Sequence, residues 1–351
     1  MWIRARAFGA LLILALPVAA RAQSPHALVP ILTNQQSHSL PNQFGIPSGI
    51  AADDAGDFAF VGLRGYAVFY RKAGSPALTR VIQNGDEIPG LTGSRVNFVS
   101  TPLLMNANGV IAFRADVFTT NRATHVIMTF DGTTLHTLVT GADTAPGTGG
   151  AKFEHAMTLI DLNDNGDVLI GSTLVPLGSN VAALPTVFRI AAGGGVTRIA
   201  GPGDASPVTG GTFTAAFPTG LGASGQVLLN AVITGGSAVS GIFISESGTL
   251  RKIAATNDPN PVGGTFSQDF TTALQRINPS GLVMFVANNS LFQNTAIDGT
   301  TTAIALGSAA PAPMGGTFSA FTGLPAMSSS GDAVFFANVT GGAGVSGLFR
   351  Y

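Results

Sequence analysis

Asp161, Asn163, Asn165 and Asp167 alternate along Asp161-Leu162-Asn163-Asp164-Asn165-Gly166-Asp167. This is the opening half of a calcium loop, in which every second side-chain oxygen turns toward a hard cation and a glycine permits the bend. The twelfth position, where such a loop places a bidentate acid, is Ser172. These four residues are therefore the candidate metal ligands, with Ca2+ the cofactor they would take, and the competing reading is a strand connection with Asx hydrogen bonds to its own backbone. Asp161 has a second candidate role. One position recurs across the repeats described below as Ala51, Leu104, Asp161, Gly220, Arg276 and Ala326, and only Asp161 and Arg276 are charged. If that register points into a channel, the pair forms a polar spot for a small ligand; the alternative places both on the rim.

Other reactive types are sparse. A two-residue hairpin at Asp131-Gly132 sets Met128 opposite Leu135 and leaves His136 diagonal to His125, about 7–8 Å away. Two imidazoles could begin a metal site, but no third ligand is placed and a structural pair is the plainer reading. Asp86, Asp143, Asp204 and Asp258 recur in Gly- and Pro-rich loops, where a carboxylate ordinarily accepts backbone N–H bonds. There is no cysteine, hence no disulfide, thiolate metal site or cysteine nucleophile. No G-x-S-x-G elbow, phosphate loop or zincin helix occurs. Sugar stacking has few aromatic platforms: the single Trp lies at position 2 and there are three Tyr.

What positions these residues is a repeat. Asn106-Ala107-Asn108-Gly109-Val110-Ile111-Ala112-Phe113 returns in variant form at Asp53 to Phe60, Asn163 to Ile170, Gly222 to Leu229, Asn278 to Phe285 and Ser328 to Phe335, with Gly at 56, 109, 166, 225, 281 and 331. In the clearest copy Thr101 to Met105, Val110 to Phe118, His125 to Phe130 and Leu135 to Thr140 read as four antiparallel strands without a helical period. Second strands such as Val227 to Ile233 are apolar on both parities, which demands burial on both faces. Phe44, Phe98, Phe153, Phe213, Phe266 and Phe318 follow the closing loops. They read as plugs between neighbouring units, each burying on the order of 1.5–3 kcal/mol of apolar surface.

These patterns predict an all-β six-bladed β-propeller of four-stranded blades, at about 45–98, 99–154, 155–214, 215–266, 267–318 and 319–351. The last unit stops after its third strand, while Leu28-Val29-Pro30-Ile31 matches the fourth strand of the others. The expectation is that residues 26–44 complete the sixth blade and remove two sheet edges. An open solenoid of hairpins is the alternative, though it has no reason to divide one unit between both termini.

Residues 1–22 read as a secretory signal peptide: Arg4 and Arg6, an apolar run from Ala7 to Ala19, and a small-x-small site at Ala20-Arg21-Ala22. The run is shorter than the ~20 residues of a membrane span. Cleavage removes three of the 17 basic residues and none of the 18 acids, leaving a formal −4. A weakly acidic chain without basic clusters is a poor nucleic-acid ligand. No later stretch reaches the length of a transmembrane helix. The expected location is periplasmic or extracellular, and the expected state a monomer.

The N-x-x-G-x-x-A-F pattern, intact at Asn106 to Phe113 and degenerate in the other five units, resembles the exported bacterial tandem-repeat proteins of the choice-of-anchor NxxGxxAF family. Members often carry a C-terminal sorting segment, whereas this chain ends at Arg350-Tyr351 within its sixth unit. The resemblance implies no activity and no catalytic residues. The functional expectation is a non-catalytic binding or scaffold module of the bacterial envelope, offering loops to a protein or glycan partner. The alternative is a propeller hydrolase or lyase working in the channel with calcium.

Overall fold

The computed structural model describes residues 48–351 apart from 63–65, 119–122, 154–156, 175–183 and 296–298. Among the described residues twenty-four strands form six antiparallel sheets in chain order. The first sheet contains β1 (Ile50–Ala52), β2 (Phe58–Gly62), β3 (Ala67–Arg71) and β4 (Thr79–Gln83). The second contains β5 (Glu87–Ile88), β6 (Leu91–Met105), β7 (Ile111–Phe118), β8 (Ala123–Phe130) and β9 (Leu135–Thr140). The third is β10 (Met157–Leu162), β11 (Val168–Leu174), β12 (Leu184–Ile190) and β13 (Val196–Ala200). The fourth is β14 (Thr212–Leu221), β15 (Val227–Thr234), β16 (Ser240–Glu246) and β17 (Thr249–Ala255). The fifth is β18 (Gln275–Ile277), β19 (Val283–Ala287), β20 (Ser290–Thr295) and β21 (Gly299–Ile304). The sixth is β22 (Thr317–Met327), β23 (Ala333–Thr340) and β24 (Ser346–Arg350). The first full strands β1, β6, β10, β14, β18 and β22 pack each against the next, so the architecture is the expected six-bladed β-propeller.

The double-parity apolar strands explain themselves in the packing. On β15, Val227, Leu229 and Ala231 join a core with Leu169 and Val187 of the preceding sheet, while Leu228 joins Phe266 and Phe285 of the following one. Alternate side chains point to opposite faces of a strand, so a sheet sandwiched between two others needs both sets apolar. The same division places Ala112 with the third sheet and Ile111 and Phe113 with the first.

The plugs sit where the repeat demands, with one shift. Phe153, Phe213, Phe266 and Phe318 are buried and meet Phe188, Phe243, Phe292 and Phe349 edge-on at 4.9–5.2 Å between ring centres, a favoured aromatic geometry. Phe213, Phe266 and Phe318 each exchange a pair of backbone hydrogen bonds with the closing loop, as Gly203 N donates to Phe213 O and Phe213 N to Asp204 O, while Phe153 N donates to Asp143 O. In the second sheet the same pair of bonds runs from Gly85 N to Val96 O and from Val96 N to Asp86 O. Val96, 2% exposed, is therefore the plug, and the expected Phe98 is half-buried against Tyr66. The reason is spacing: Val96 follows the loop acid Asp86 by ten residues, as Phe153 follows Asp143, and Phe98 lies two residues further along β6. Phe44 lies outside the described residues.

The fifth sheet has a further device: Phe270–Thr272 forms a 3-10 turn capped by Asp269, which accepts from Thr271 N, and Phe270 is buried beside Phe266. The sixth sheet has three strands among the described residues, and residues 26–44, expected to supply its fourth, lie outside them. Its far face leaves Val334, Phe336 and Leu348 exposed, whereas Met284, on the rung matching Val334 in the fifth sheet, is 0% exposed.

Candidate functional site

In an antiparallel blade the turns after strands one and three share one end of the sheet. The loops after strands two and four share the other. The first of these ends, the turn face, is where the N-x-x-G motif lies. Asn106 accepts from Asn108 N and Val110 N through Oδ1, at 3.1 and 3.0 Å, while Gly109 N donates to Asn106 O. The closing glycine needs the left-handed region: φ is 74° at Gly109 and 97° at Gly331, a conformation a Cβ opposes. So far this is an Asx-type turn.

The amide nitrogen does something the sequence reading missed. Asn106 Nδ2 donates to Asn163 O, the same turn one blade on, at 2.9 Å. Asn163 Nδ2 donates in its turn to Gly222 O at 3.1 Å, and Asn278 Nδ2 to Ser328 O at 2.9 Å. At the fourth unit, where Gly222 stands in place of Asn, a backbone bond from Ala223 N to Pro279 O at 3.2 Å joins it to the next turn. The motif's first residue is thus an interblade staple, chosen because an amide offers an acceptor to its own turn and a donor to its neighbour.

The four candidate calcium ligands lie in this stapled turn. Asp161 Oδ1 accepts from Leu162 N and Oδ2 from Leu221 N. Asn163 Oδ1 accepts from Asp167 N at 2.9 Å. Asn165 Nδ2 donates to Ala223 O at 2.7 Å, and Asp167 Oδ1 accepts from Ala192 N at 3.3 Å. Their polar atoms address backbone partners on two blades, and among the described residues no group of three or more His, Asp or Glu side chains could hold a metal ion.

Asp161 and Arg276 share a cavity. The positions Ala51, Leu104, Asp161, Gly220, Arg276 and Ala326 occupy equivalent rungs, each opposite the residue eight further on: Ala59, Ala112, Leu169, Leu228, Met284 and Val334. At the turn-face ends of β10, β14, β18 and β22 a cavity of about 370 Å³ is lined by Asp161, Asp164, Leu221, Arg276, Ile277, Pro325 and Met327, among others. Gly220 lies between the charged pair in ring order. A Cβ there would stand 2.7 Å from Ile277 Cγ2, so glycine lets Ile277 pack onto the backbone and Asp161 reach Leu221 N. Burial pushes the Asp161 carboxyl above its usual range, and the N–H groups of Leu221 and Leu162 and the charge of Arg276 pull the other way. Arg276 is exposed.

The histidine geometry differs from expectation. The β8–β9 connection is Asp131 to Thr134, four residues rather than two, because the Asp131 carboxylate accepts from Thr133 N, Thr134 N and Thr133 Oγ1. These bonds, the Thr133 hydroxyl first, hold its carboxyl well below the usual range. Met128 pairs with Thr137, and His136 stands opposite Thr129. His125 is four residues back along β8, roughly 13 Å away. Each histidine faces an aspartate instead: His125 Nε2 lies 3.6 Å from Asp116 and His136 Nε2 lies 3.3 Å from Asp131. The loop acids are turn chemistry: Asp86, Asp143, Asp204 and Asp258 accept from the backbone N–H three residues earlier at 2.8–2.9 Å.

The fold and its repeats define a propeller stitched together at one rim, and this chain belongs to DUF7453, a family of unknown function that matches residues 53–350. No curated protein sequence matches it. Among solved structures it is similar to an oligogalacturonate lyase in complex with manganese, at 9% identity and TM-score 0.46, covering 84% of this chain and 73% of that one. It is likewise similar to the β-propeller domain of the trilobed protease from Pyrococcus furiosus, at 9% identity and TM-score 0.46, covering 88% and 81%. A third is virginiamycin B lyase from Staphylococcus aureus, at 15% identity and TM-score 0.37, covering 89% and 85%.

Proposed function

We propose that this protein is an exported, monomeric binding or scaffold module of the bacterial envelope, of the NxxGxxAF tandem-repeat kind, which presents its loop face to a protein or glycan partner. The observation that supports this is where large apolar side chains meet solvent. Tyr66, Val239 and Val345 stand in the loops before the third strands, Phe118 ends a second strand, and Val262 and Leu306 lie in closing loops; they are 44–81% exposed. All are at the end of the blades opposite the staples. Exposed apolar groups rimmed by polar loops mark interaction surfaces, and loops on a rigid scaffold carry recognition.

The test replaces Phe118, Val239 and Val345 together by Asp. Native envelope extract is captured on the wild type, on this variant and on a turn-face control, Ala192→Asp. The proposal expects material bound by wild type and control and lost from the loop-face variant. Equal capture by all three refutes it.

A further inference from the structure

We propose that the turn-face cavity is a binding site for a small carboxylate that also carries hydrogen-bond donors, hydroxyl or ammonium, with Arg276 taking the carboxylate and Asp161 accepting from the donors. The site stands on its own geometry at the end of the propeller opposite the loop-face partner surface, and neither depends on the other.

Its volume, about 370 Å³, falls at the small end of the ~300–1,000 Å³ common for small-molecule sites. Four successive blades wall it, so it is built on strand ends and held by the staples at Asn163 and Asn278. Among the described residues no hydrogen bond or ion pair occupies the Arg276 guanidinium, although the other arginines of the third to fifth blades are engaged: Arg189 bonds Gly225 O, Arg198 bonds Asp204 and Arg251 bonds Asn294. A guanidinium with its donor fork free is suited to a planar carboxylate, which it can grip with two parallel bonds.

The acids set the rest of the specificity. Each Asp161 oxygen already accepts one backbone N–H, from Leu162 or Leu221, and a carboxylate oxygen has a second acceptor site. Asp164, exposed at the edge and accepting from Ala107 N at 3.0 Å, adds a second negative charge. A simple anion such as sulfate would be attracted by one charge and repelled by two. A molecule bringing both a carboxylate and donors satisfies Arg276 and Asp161 together, while Ile277, Pro325 and Met327 offer apolar contact to its carbon skeleton.

The experiment is calorimetric titration of the full chain near pH 7 with D-glucuronate, D-glucose, L-alanine, acetate and sulfate, on the wild type and on Arg276→Gln, Arg276→Lys and the loop-face triple variant. Glucuronate or alanine should bind, and which of the two binds distinguishes a hydroxy acid from an amino acid. Arg276→Gln should weaken that binding about tenfold or more, with Arg276→Lys intermediate because it keeps the charge and loses the fork. Glucose, acetate and sulfate should each bind at least tenfold more weakly, and the loop-face variant should match wild type. The proposal is overturned if neither glucuronate nor alanine binds at 10 mM, if sulfate or acetate binds as well, or if Arg276→Gln leaves affinity unchanged. Arg276 is exposed, so its variants test recognition rather than folding.

Discussion

Replacing Asn106 by Ala tests the staple directly. Asn106 is 5% exposed, and its side chain meets three backbone groups: it accepts from Asn108 N and Val110 N and donates to Asn163 O of the next blade. A buried backbone group left without a partner costs about 1–3 kcal/mol. Val110 N and Asn163 O are the two with least recourse to water, which puts the loss at about 2–4 kcal/mol. For a domain of this size a kilocalorie corresponds to roughly 2 °C, so the melting midpoint should fall by ~4–8 °C. Asn108→Ala is the internal comparison. Asn108 also donates across the junction, to Asp164 O at 2.7 Å, but from an exposed position where water can replace it, and its loss should cost only about 0.5–1.5 kcal/mol. Asn106→Asp separates the two halves of the role: it keeps the acceptor and sets a charged oxygen against the Asn163 carbonyl, so it should be at least as damaging as Ala near pH 7. Thermal and urea melts followed by far-UV circular dichroism measure all three. If Asn106→Ala and Asn108→Ala agree within about 0.5 kcal/mol, the staple contributes nothing beyond an ordinary turn and the reasoning fails.

Other outcomes follow from the same geometry. Phe266→Ala, at the centre of three ring contacts, should lose about 3–5 kcal/mol, and Phe98→Ala less than half of that in the same urea melts; equal losses would restore Phe98 as a plug. Asp57 accepts from Ala73 N and from the Tyr70 hydroxyl, and these bonds hold its carboxyl below the usual range. A depressed folded-state pKa gives stability that is whole above the unfolded value and lost as pH falls through the folded one. Tyr70→Phe should therefore destabilise more near pH 7 than near pH 2.5, and a difference that is flat with pH would count against the pair. If residues 26–44 complete the sixth sheet, deleting 26–32 leaves the β24 edge and the apolar Val334, Phe336 and Leu348 uncovered. The melting midpoint should then drop by roughly 5 °C or more with a rise in binding of an apolar dye, whereas an unchanged melt would rule out that closure.

Much of the fold was legible because it rests on periodicity. The turn glycines fixed the unit, and the double-parity strands such as Val227 to Ile233 required neighbours on both faces, which Leu169 and Phe285 supply. The rung shared by Asp161 and Arg276 could be aligned because ladder positions are counted from those same turns. Two details differ from expectation, one because a side chain overrides the local pattern and one because residue type and spacing point to different positions. Asp131 draws three donors and widens a hairpin that Asp-Gly alone would keep tight, moving His136 away from His125. Val96 stands ten residues after the loop acid Asp86, as Phe153 does after Asp143, so the spacing pointed to Val96 while the aromatic type pointed to Phe98, and the backbone bonds of Gly85 and Asp86 follow the spacing. The staple itself had a signal, the return of Asn at 106, 163 and 278. A turn alone would accept Asp or Ser there equally well, and it does at Asp53 and Ser328, which left the amide unexplained.

The staple is one-sided, and that shapes how such a chain can drift. The giver is a side chain that mutation can remove, but the receiver is a peptide carbonyl that every residue possesses. A unit that carries the asparagine therefore answers for that residue alone, and its successor can change freely at the receiving turn without breaking the link, as the glycine at position 222 does. Where that glycine leaves no giver, a peptide N–H of the next residue bridges instead. Junctions made in this manner ask for very little written identity between neighbouring copies.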